Sequence, residues 1–141
     1  MGRHSKEVRS YNMSRIRSTN TKPEEIIRKY LFSKGLRYRK NVNKLPGCPD
    51  IVLSKHRVVI FVNGCFWHMH EGCSKFVLPK SNTDYWLPKL MHNKQRDIQN
   101  IQLLESKGWS VITVWECELN KTLREKRLDK LYIEITKGKH L

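Results

Sequence analysis

The fold is decided by Asp50-Ile51-Val52-Leu53 and, after Ser54-Lys55-His56-Arg57, by Val58-Val59-Ile60-Phe61-Val62. Both apolar runs are short and rich in β-branched residues, and four polar residues separate them, which is typical of a β-hairpin. A loop of that length pairs Leu53 with Val58 and places Asp50 opposite Phe61. The pattern therefore predicts a carboxylate at the mouth of the hairpin, beside position 62.

Helical patterns flank this hairpin on both sides. Thr21-Lys22-Pro23-Glu24 predicts the start of a helix that runs to about residue 34. Helical spacing returns at about residues 87–107, with Pro88 in the first turn, and again over residues 118–135. In the last helix, the residues predicted to face inward are Leu119, Leu123, Leu128, Leu131 and Ile135.

A third buried strand is predicted at residues 111–115, after the long helix. A helix between the second and third strands favours a crossover connection and hence a mixed sheet. The predicted fold class is α/β, with a small mixed sheet flanked by helices in one domain over residues 21–141. Residues 1–20 are polar and basic and are interpreted as an arm that orders on DNA.

The charge of the chain is strongly positive and uneven. The 141 residues carry 28 Lys plus Arg and 13 Asp plus Glu, a net charge of +15. Residues 1–44 hold 13 of the basic residues and 3 of the acidic ones, a net +10. This favours a polyanionic partner, above all nucleic acid, over a merely soluble charged surface. The longest apolar run has five residues and no secretory signal opens the chain, so we expect no membrane span and a reducing cytoplasm.

Residues 65–73 hold two cysteines and two histidines, and Cys117 follows the third strand. Zinc favours four such ligands in a tetrahedron, so Cys65, one histidine, Cys73 and Cys117 predict a structural site. His70, three residues before Cys73, is the better ligand. That choice leaves His68 as a candidate general base. The alternatives are buried thiols or a disulfide for the cysteines, and a solvated loop residue for His68.

Two acidic residues are candidates for a second metal site. Asp50, with the main-chain carbonyl of Val62 across the hairpin, would hold magnesium and leave positions for phosphate. A turn aspartate is the alternative. Glu24 stands three residues after Thr21, which is the spacing of a capping box, so this acid has a structural explanation as well as a catalytic one.

Asp97 interrupts the apolar face of the long helix. It shares that face with Leu90, Lys94, Ile101 and Leu104. A carboxylate in such a stripe is costly unless it has a partner. We expect a histidine or a cation at a cleft as its partner, and the alternative is a salt bridge to Lys94 or Arg96.

Several motifs together resemble one known family. They are Leu45-Pro46-Gly47-Cys48-Pro49-Asp50, Val59-Ile60-Phe61-Val62-Asn63-Gly64-Cys65-Phe66-Trp67-His68, Trp86-Leu87, Asn93, Arg96-Asp97, Gly108-Trp109 and Val114-Trp115-Glu116-Cys117. This combination, from about Met13 to about Leu131, resembles the very short patch repair endonucleases. The resemblance implies a PD-(D/E)xK-like nuclease core and magnesium-dependent nicking of double-stranded DNA, 5′ to the T of a T:G mismatch formed by deamination of 5-methylcytosine.

The resemblance also implies a role for individual residues. Asp50 would bind magnesium, His68 would be the catalytic base, Asp97 would support that histidine, and Glu24 would be a further acidic residue of the active site. The implied structural zinc ligands are Cys65, His70, Cys73 and Cys117. The side chains implied to enter the duplex at the mismatch are Phe66, Trp67, Trp86 and, from the other groove, Met13.

This chain departs from the family pattern at Val62-Asn63, where well-known members have Thr-His. A side-chain hydroxyl at position 62 is therefore absent, while a main-chain carbonyl remains. The implied partners are mismatched DNA, mismatch-repair proteins and a repair polymerase, with the protein as a monomer. Two alternatives stay open: a restriction-associated nuclease that cuts matched DNA, and a non-catalytic zinc-stabilised DNA-binding module.

Overall fold

The computed structural model describes residues 21–65, 68–70, 73, 81 and 83–138. The predicted arm at residues 1–20 lies outside the described residues, as do Met13, Phe66 and Trp67. Within the described part, the elements are α1 (Lys22–Ser33), β1 (Arg39–Lys40), β2 (Ile51–Leu53), β3 (Val58–Asn63), α2 (Thr83–Ser106), β4 (Ser110–Trp115) and α3 (Arg124–Gly138). Two short 3₁₀ turns, Ser54–His56 and Glu116–Leu119, follow β2 and β4.

The four described strands form one mixed sheet in the order β1-β2-β3-β4. β1, β2 and β3 are antiparallel neighbours, whereas β3 and β4 are parallel, with α2 in the crossover between them. Leu53 pairs with Val58, so the predicted hairpin register is confirmed. The α/β class and the mixed sheet are confirmed as well. β1 was not predicted, because Arg39-Lys40 has no apolar pattern and pairs only through its ladder with β2.

Both faces of the sheet are covered, which explains why its central strands are apolar throughout. One face packs against α1 and α3 in a core of Ile27, Leu31, Ile51, Leu53, Val58, Ile60, Val114, Leu119, Leu128, Leu131 and Ile135. The other face packs against α2 around Val52, Val59 and Leu104. The sheet is therefore the middle of three layers, and its strand ends are the places where polar side chains collect.

The predicted boundaries of α2 and α3 need correction. α2 begins at Thr83 rather than at about residue 87, so Pro88 lies in its second turn instead of its first. The predicted helix over residues 118–135 is interrupted, because Asn120 Oδ1 accepts hydrogen bonds from the backbone N–H groups of Thr122 and Leu123, at 3.0 and 2.9 Å. Leu123 is consequently half exposed rather than inward. No helix among the described residues is long and apolar enough to span a membrane.

Candidate active site and metal centre

Asp50 lies immediately before β2, and its Oδ2 accepts a 2.7 Å hydrogen bond from the backbone N–H of Val62. Burial and, less strongly, the charge of Glu24 raise the pKa of Asp50 from its ordinary 3.8 to about 6, against the opposing effects of the Val62 N–H, His68 and Arg28. Positions 50 and 62 are thus neighbours, as the hairpin predicted. The contact uses the Val62 N–H, and the Val62 carbonyl as a magnesium ligand stays a prediction.

Glu24 lies in the first turn of α1 with 4% of its surface exposed. Its carboxylate accepts a 3.1 Å hydrogen bond from Thr21 Oγ1 and faces Arg28 Nη1 at 3.5 Å. The Thr21 side chain makes no capping hydrogen bond to the helix backbone, so its contact with Glu24 is between side chains. The structure therefore brings the buried acid Glu24 close enough to the half-buried Asp50 to raise its pKa.

His68 and Asp97 face each other from the loop after β3 and from the middle of α2. Nδ1 of His68 is in direct hydrogen-bonding contact with Oδ2 of Asp97. About a quarter of each side chain is exposed, 26% for His68 and 27% for Asp97. Of the partners that the sequence left open for Asp97, the structure shows the histidine. Arg96 instead donates a hydrogen bond to Asn93. The pair is accessible enough to meet a substrate.

Four possible metal ligands converge beside this pair. One ligand atom each from Cys65, His70, Cys73 and Cys117 lies within 4.8 Å of the others. Burial raises the pKa of Cys65 to about 12 and also raises that of Cys117. Thiols crowded in this way are stabilised as thiolates by a divalent cation, so the donor set fits zinc.

Residues next to Cys117 hold the cluster in place, and sequence analysis missed their roles. Glu116 Oε1 accepts a 2.9 Å hydrogen bond from the N–H of Cys65, which ties the β4 end to the β3 end. The ring of His70 stacks on Trp115 with centroids 4.0 Å apart and planes 3° apart. The same indole meets His68 edge-on at 6.4 Å. Their position directly before a candidate cysteine ligand was the available signal.

Trp86 is the one predicted duplex-entering side chain among the described residues. It lies in the first turn of α2, is half-buried, and meets the ring of Tyr85 edge-on with centroids 5.1 Å apart. Lys89 Nζ lies 5.4 Å from the centroid of the Tyr85 ring. The aromatic wedge as a whole stays a prediction, because its other members lie outside the described residues.

Comparison with known proteins identifies the family. The family model for DNA mismatch endonuclease Vsr matches residues 1–75. The DNA mismatch endonuclease Vsr of Escherichia coli is 41% identical over 131 residues, which cover 93% of this chain and 82% of that protein. The chain belongs to the Vsr family. It is therefore an endonuclease, as the sequence predicted.

Other relatives of this Vsr family member carry a different name. The type II nicking enzyme V.NmeAIP of Neisseria meningitidis serogroup A is 53% identical over 128 residues, 90% of this chain and 91% of that protein. The type II nicking enzyme V.XorIIP of Xanthomonas oryzae pv. oryzae is 49% identical over 118 residues, 84% of this chain and 86% of that protein. The similarity thus extends over most of each chain and includes both halves of the candidate site.

Proposed function

We propose that this protein nicks one strand of double-stranded DNA 5′ to the T of a T:G mismatch left by deamination of 5-methylcytosine, and so starts very short patch repair. Membership of the Vsr family supports the reaction class. The observation that carries the proposal is the contact between His68 and Asp97 beside the half-buried Asp50. A base, its orienting acid and a metal-binding carboxylate then share one end of the sheet.

The residues around Asp50 fit a magnesium ion. Asp50 and Glu24 are two acids held close together, and such a pair is costly in a partly desolvated site unless a cation joins it. Asp50 would hold Mg²⁺ together with the Val62 carbonyl, with the remaining positions left to water and phosphate. When bound there, Mg²⁺ supplies positive charge against the charge that builds on the phosphate oxygens.

The His68 ring is oriented for proton transfer. Because Asp97 occupies Nδ1, the other ring nitrogen, Nε2, takes the proton from the attacking water. Asp97 then stabilises the imidazolium that forms. Attack of this water on phosphorus leaves a 3′-hydroxyl on one fragment and a 5′-phosphate on the other. A single centre of this kind cuts one strand.

The wider assignments follow from the same proposal. Residues 21–141 form the endonuclease domain, with a PD-(D/E)xK-like core whose first acid is Asp50 at the start of β2. Residues 1–20 form the DNA-binding arm. Zinc at the cysteine cluster is structural, because the protein fills all four positions.

The side chains that enter the duplex are Met13, Phe66, Trp67 and Trp86. Unstacking a wobble pair costs less than unstacking a matched pair, which favours the mismatch.

The test compares two end-labelled duplexes that differ only by a T:G or a T:A pair, in pooled methylation-site contexts with Mg²⁺. We expect one nick, beside the T of the mismatch, resolved on a denaturing gel and lost in Asp50→Ala. Equal cutting of both duplexes would favour the second candidate, a nuclease for matched DNA. The observation behind that candidate is that two relatives are named type II nicking enzymes, a name that does not mention a mismatch. Tight binding without cutting would overturn the catalytic assignments.

A further inference from the structure

A concave surface lies at the end of β2 opposite Asp50. There the approach to β1 and the turn after β2 enclose a groove of about 370 Å³, lined by residues 35–39, Val52 and Ser54–His56. Three of its side chains are exposed cations, Arg37, Arg39 and Lys55, and no carboxylate lines it. This basic groove plays no part in the proposed chemistry, because the length of β2 separates it from the candidate active site.

The cations of the basic groove differ from the arginines that hold the fold together. Arg28 pairs with Glu24, Arg127 pairs with Glu134, and Arg57 lies 4.2 Å from the ring centroid of Trp109. By contrast, none of the described carboxylates forms an ion pair with the three groove cations. Like charges gathered on a concave surface repel one another, and an anion placed among them relieves that repulsion.

We propose that the basic groove binds the phosphodiester backbone of duplex DNA outside the cleaved step. This inference rests on the proposed function only in taking DNA as the ligand. Two guanidinium groups match phosphate oxygens in pairs, and the Ser54 hydroxyl adds a polar contact. Lys40, next to Arg39 on β1, pairs with Ile51 beside Asp50, so a further cation lies nearer the candidate active site, on the opposite face of the strand.

The geometry limits where such a contact falls. A three-residue strand spans about 10 Å, which is about three base pairs of duplex. The backbone therefore comes either from the flank of the cut duplex or from a second duplex segment. Phosphate contacts carry no sequence information, so the groove strengthens binding to matched and mismatched DNA alike.

The experiment measures binding in Mg²⁺-free buffer, so that the DNA stays uncut. Fluorescence anisotropy gives the association constant between 50 and 200 mM NaCl for wild type and for Arg37→Ala/Arg39→Ala/Lys55→Ala. Each lost phosphate contact lowers the salt slope by about 0.9, so the triple variant is expected to lose about 2 to 3 from the slope. The loss should be equal on T:G and T:A duplexes.

The matched control is Lys121→Ala/Lys126→Ala/Lys130→Ala, which removes three exposed lysines in and before α3 that do not line the groove. Both variants carry the same net charge. If their salt slopes are equal, the basic groove makes no specific contact and the inference is wrong. Arg37→Lys/Arg39→Lys keeps the charge and is expected to keep the slope. Circular dichroism checks that every variant is folded.

Two further measurements identify the molecule that supplies the phosphate. Shortening one arm of the duplex to two base pairs should abolish the difference between wild type and triple variant if the flank of the cut duplex is the ligand. A difference that persists on short duplexes indicates a second segment. If polyglutamate binding needs the three cations while the DNA slope does not change, the groove serves an acidic partner and the inference is overturned. Failure of T:G nicking would refute the proposed function and leave these binding results intact.

Discussion

The acid–histidine site consists of Asp50, His68 and Asp97, and the cysteine cluster consists of Cys65, His70, Cys73 and Cys117. Both lie at the same end of the sheet, but they differ in how completely the protein encloses them. In the cysteine cluster, four ligand atoms from four residues lie within 4.8 Å of one another. At the acid–histidine site, His68 and Asp97 keep about a quarter of their side chains exposed, at 26% and 27%. A metal in the first has no position left for a substrate, whereas the second leaves room for water and phosphate.

Within the described part of the chain, the Trp115 side chain contacts both sites. Trp115 stacks on His70 of the cysteine cluster and meets His68 of the acid–histidine site edge-on. His68 also lies between Cys65 and His70 in the chain, so damage to the cysteine cluster should disturb catalysis. Substitution of Asp50 or Asp97 removes no residue of the cluster and should leave it intact. This asymmetry is open to experiment at each site.

The largest effect is expected from Cys117→Ala, which removes one of the four proposed zinc ligands. Zinc content should fall well below one ion per chain, the Tm should drop by more than about 10 °C, and nicking should disappear with it. Cys48→Ala is the matched control, because this exposed thiol lies outside the cluster. Elemental analysis and thermal unfolding test both. Full zinc content and an unchanged Tm in Cys117→Ala would contradict the view that the cysteine cluster is a closed metal site.

Asp50→Ala should abolish most nicking without loss of zinc. Loss of the carboxylate proposed to hold Mg²⁺ is expected to slow single-turnover nicking by about 10³-fold or more, because the charge on the phosphate would no longer be neutralised. DNA affinity and zinc content should stay at the wild-type level, since neither depends on this side chain. If zinc is lost as well, the two sites are one cooperative unit and the comparison fails.

The raised pKa of Asp50 sets a pH dependence of stability. A folded-state pKa of about 6, against the ordinary 3.8, means that folding favours the protonated acid. This contribution is fully present below pH 3.8 and is lost as the pH rises through about 6, at a cost of at most about 3 kcal/mol. In Mg²⁺-free buffer, Asp50→Asn should therefore be more stable than wild type at pH 8 and about equal at pH 4.

Urea unfolding of the two proteins at both pH values measures that difference, because other titrating groups are common to both. Addition of Mg²⁺ at pH 8 is expected to stabilise wild type and not Asp50→Asn. An equal response of the two proteins to Mg²⁺ would mean that the ion binds elsewhere.

The smallest effect is expected from Asp97→Asn, which keeps the shape of the side chain but removes its charge. The His68 ring then loses the group that fixes Nδ1, and kcat should fall by about 10²-fold with KM nearly unchanged. Gln99→Ala, a substitution of an exposed residue on the same helix, is the control and should change neither kcat nor KM. A change in KM alone would indicate that Asp97 contacts DNA instead of His68.

Short-range patterns predicted much of the fold. The register of Leu53 and Val58 followed from loop length, because a four-residue connection allows few pairings. The mixed sheet followed from the helix between two apolar strands. The break before α3 did not, since Asn120 competes for backbone N–H groups through its own side chain, and leucine spacing continues past it.

At the candidate site, the sequence predicted the possible metal ligands better than the neighbouring residues that support them. The spacing of Cys65, His70 and Cys73 predicted a cluster, and the position of His70 three residues before Cys73 distinguished it from His68 as the ligand. The support from Glu116 and Trp115 could not be read in advance, because it depends on how the ends of β3 and β4 align in space. The raised pKa of Asp50 likewise depends on burial and on Glu24, a residue distant in sequence.

The parallel pairing of β3 with β4 also fixes an order of assembly. The hairpin of β2 and β3 closes a short loop and can form within microseconds, whereas β4 must wait for the whole α2 crossover. We therefore expect Asp50 to meet Val62 early and Cys117 to reach Cys65 last. In a newly made chain, the thiols of Cys65 and Cys73 are therefore expected to stay uncovered until that moment. If zinc is the bound metal, we expect the yield during biosynthesis to depend on reduced thiols and on the presence of zinc when β4 joins the sheet.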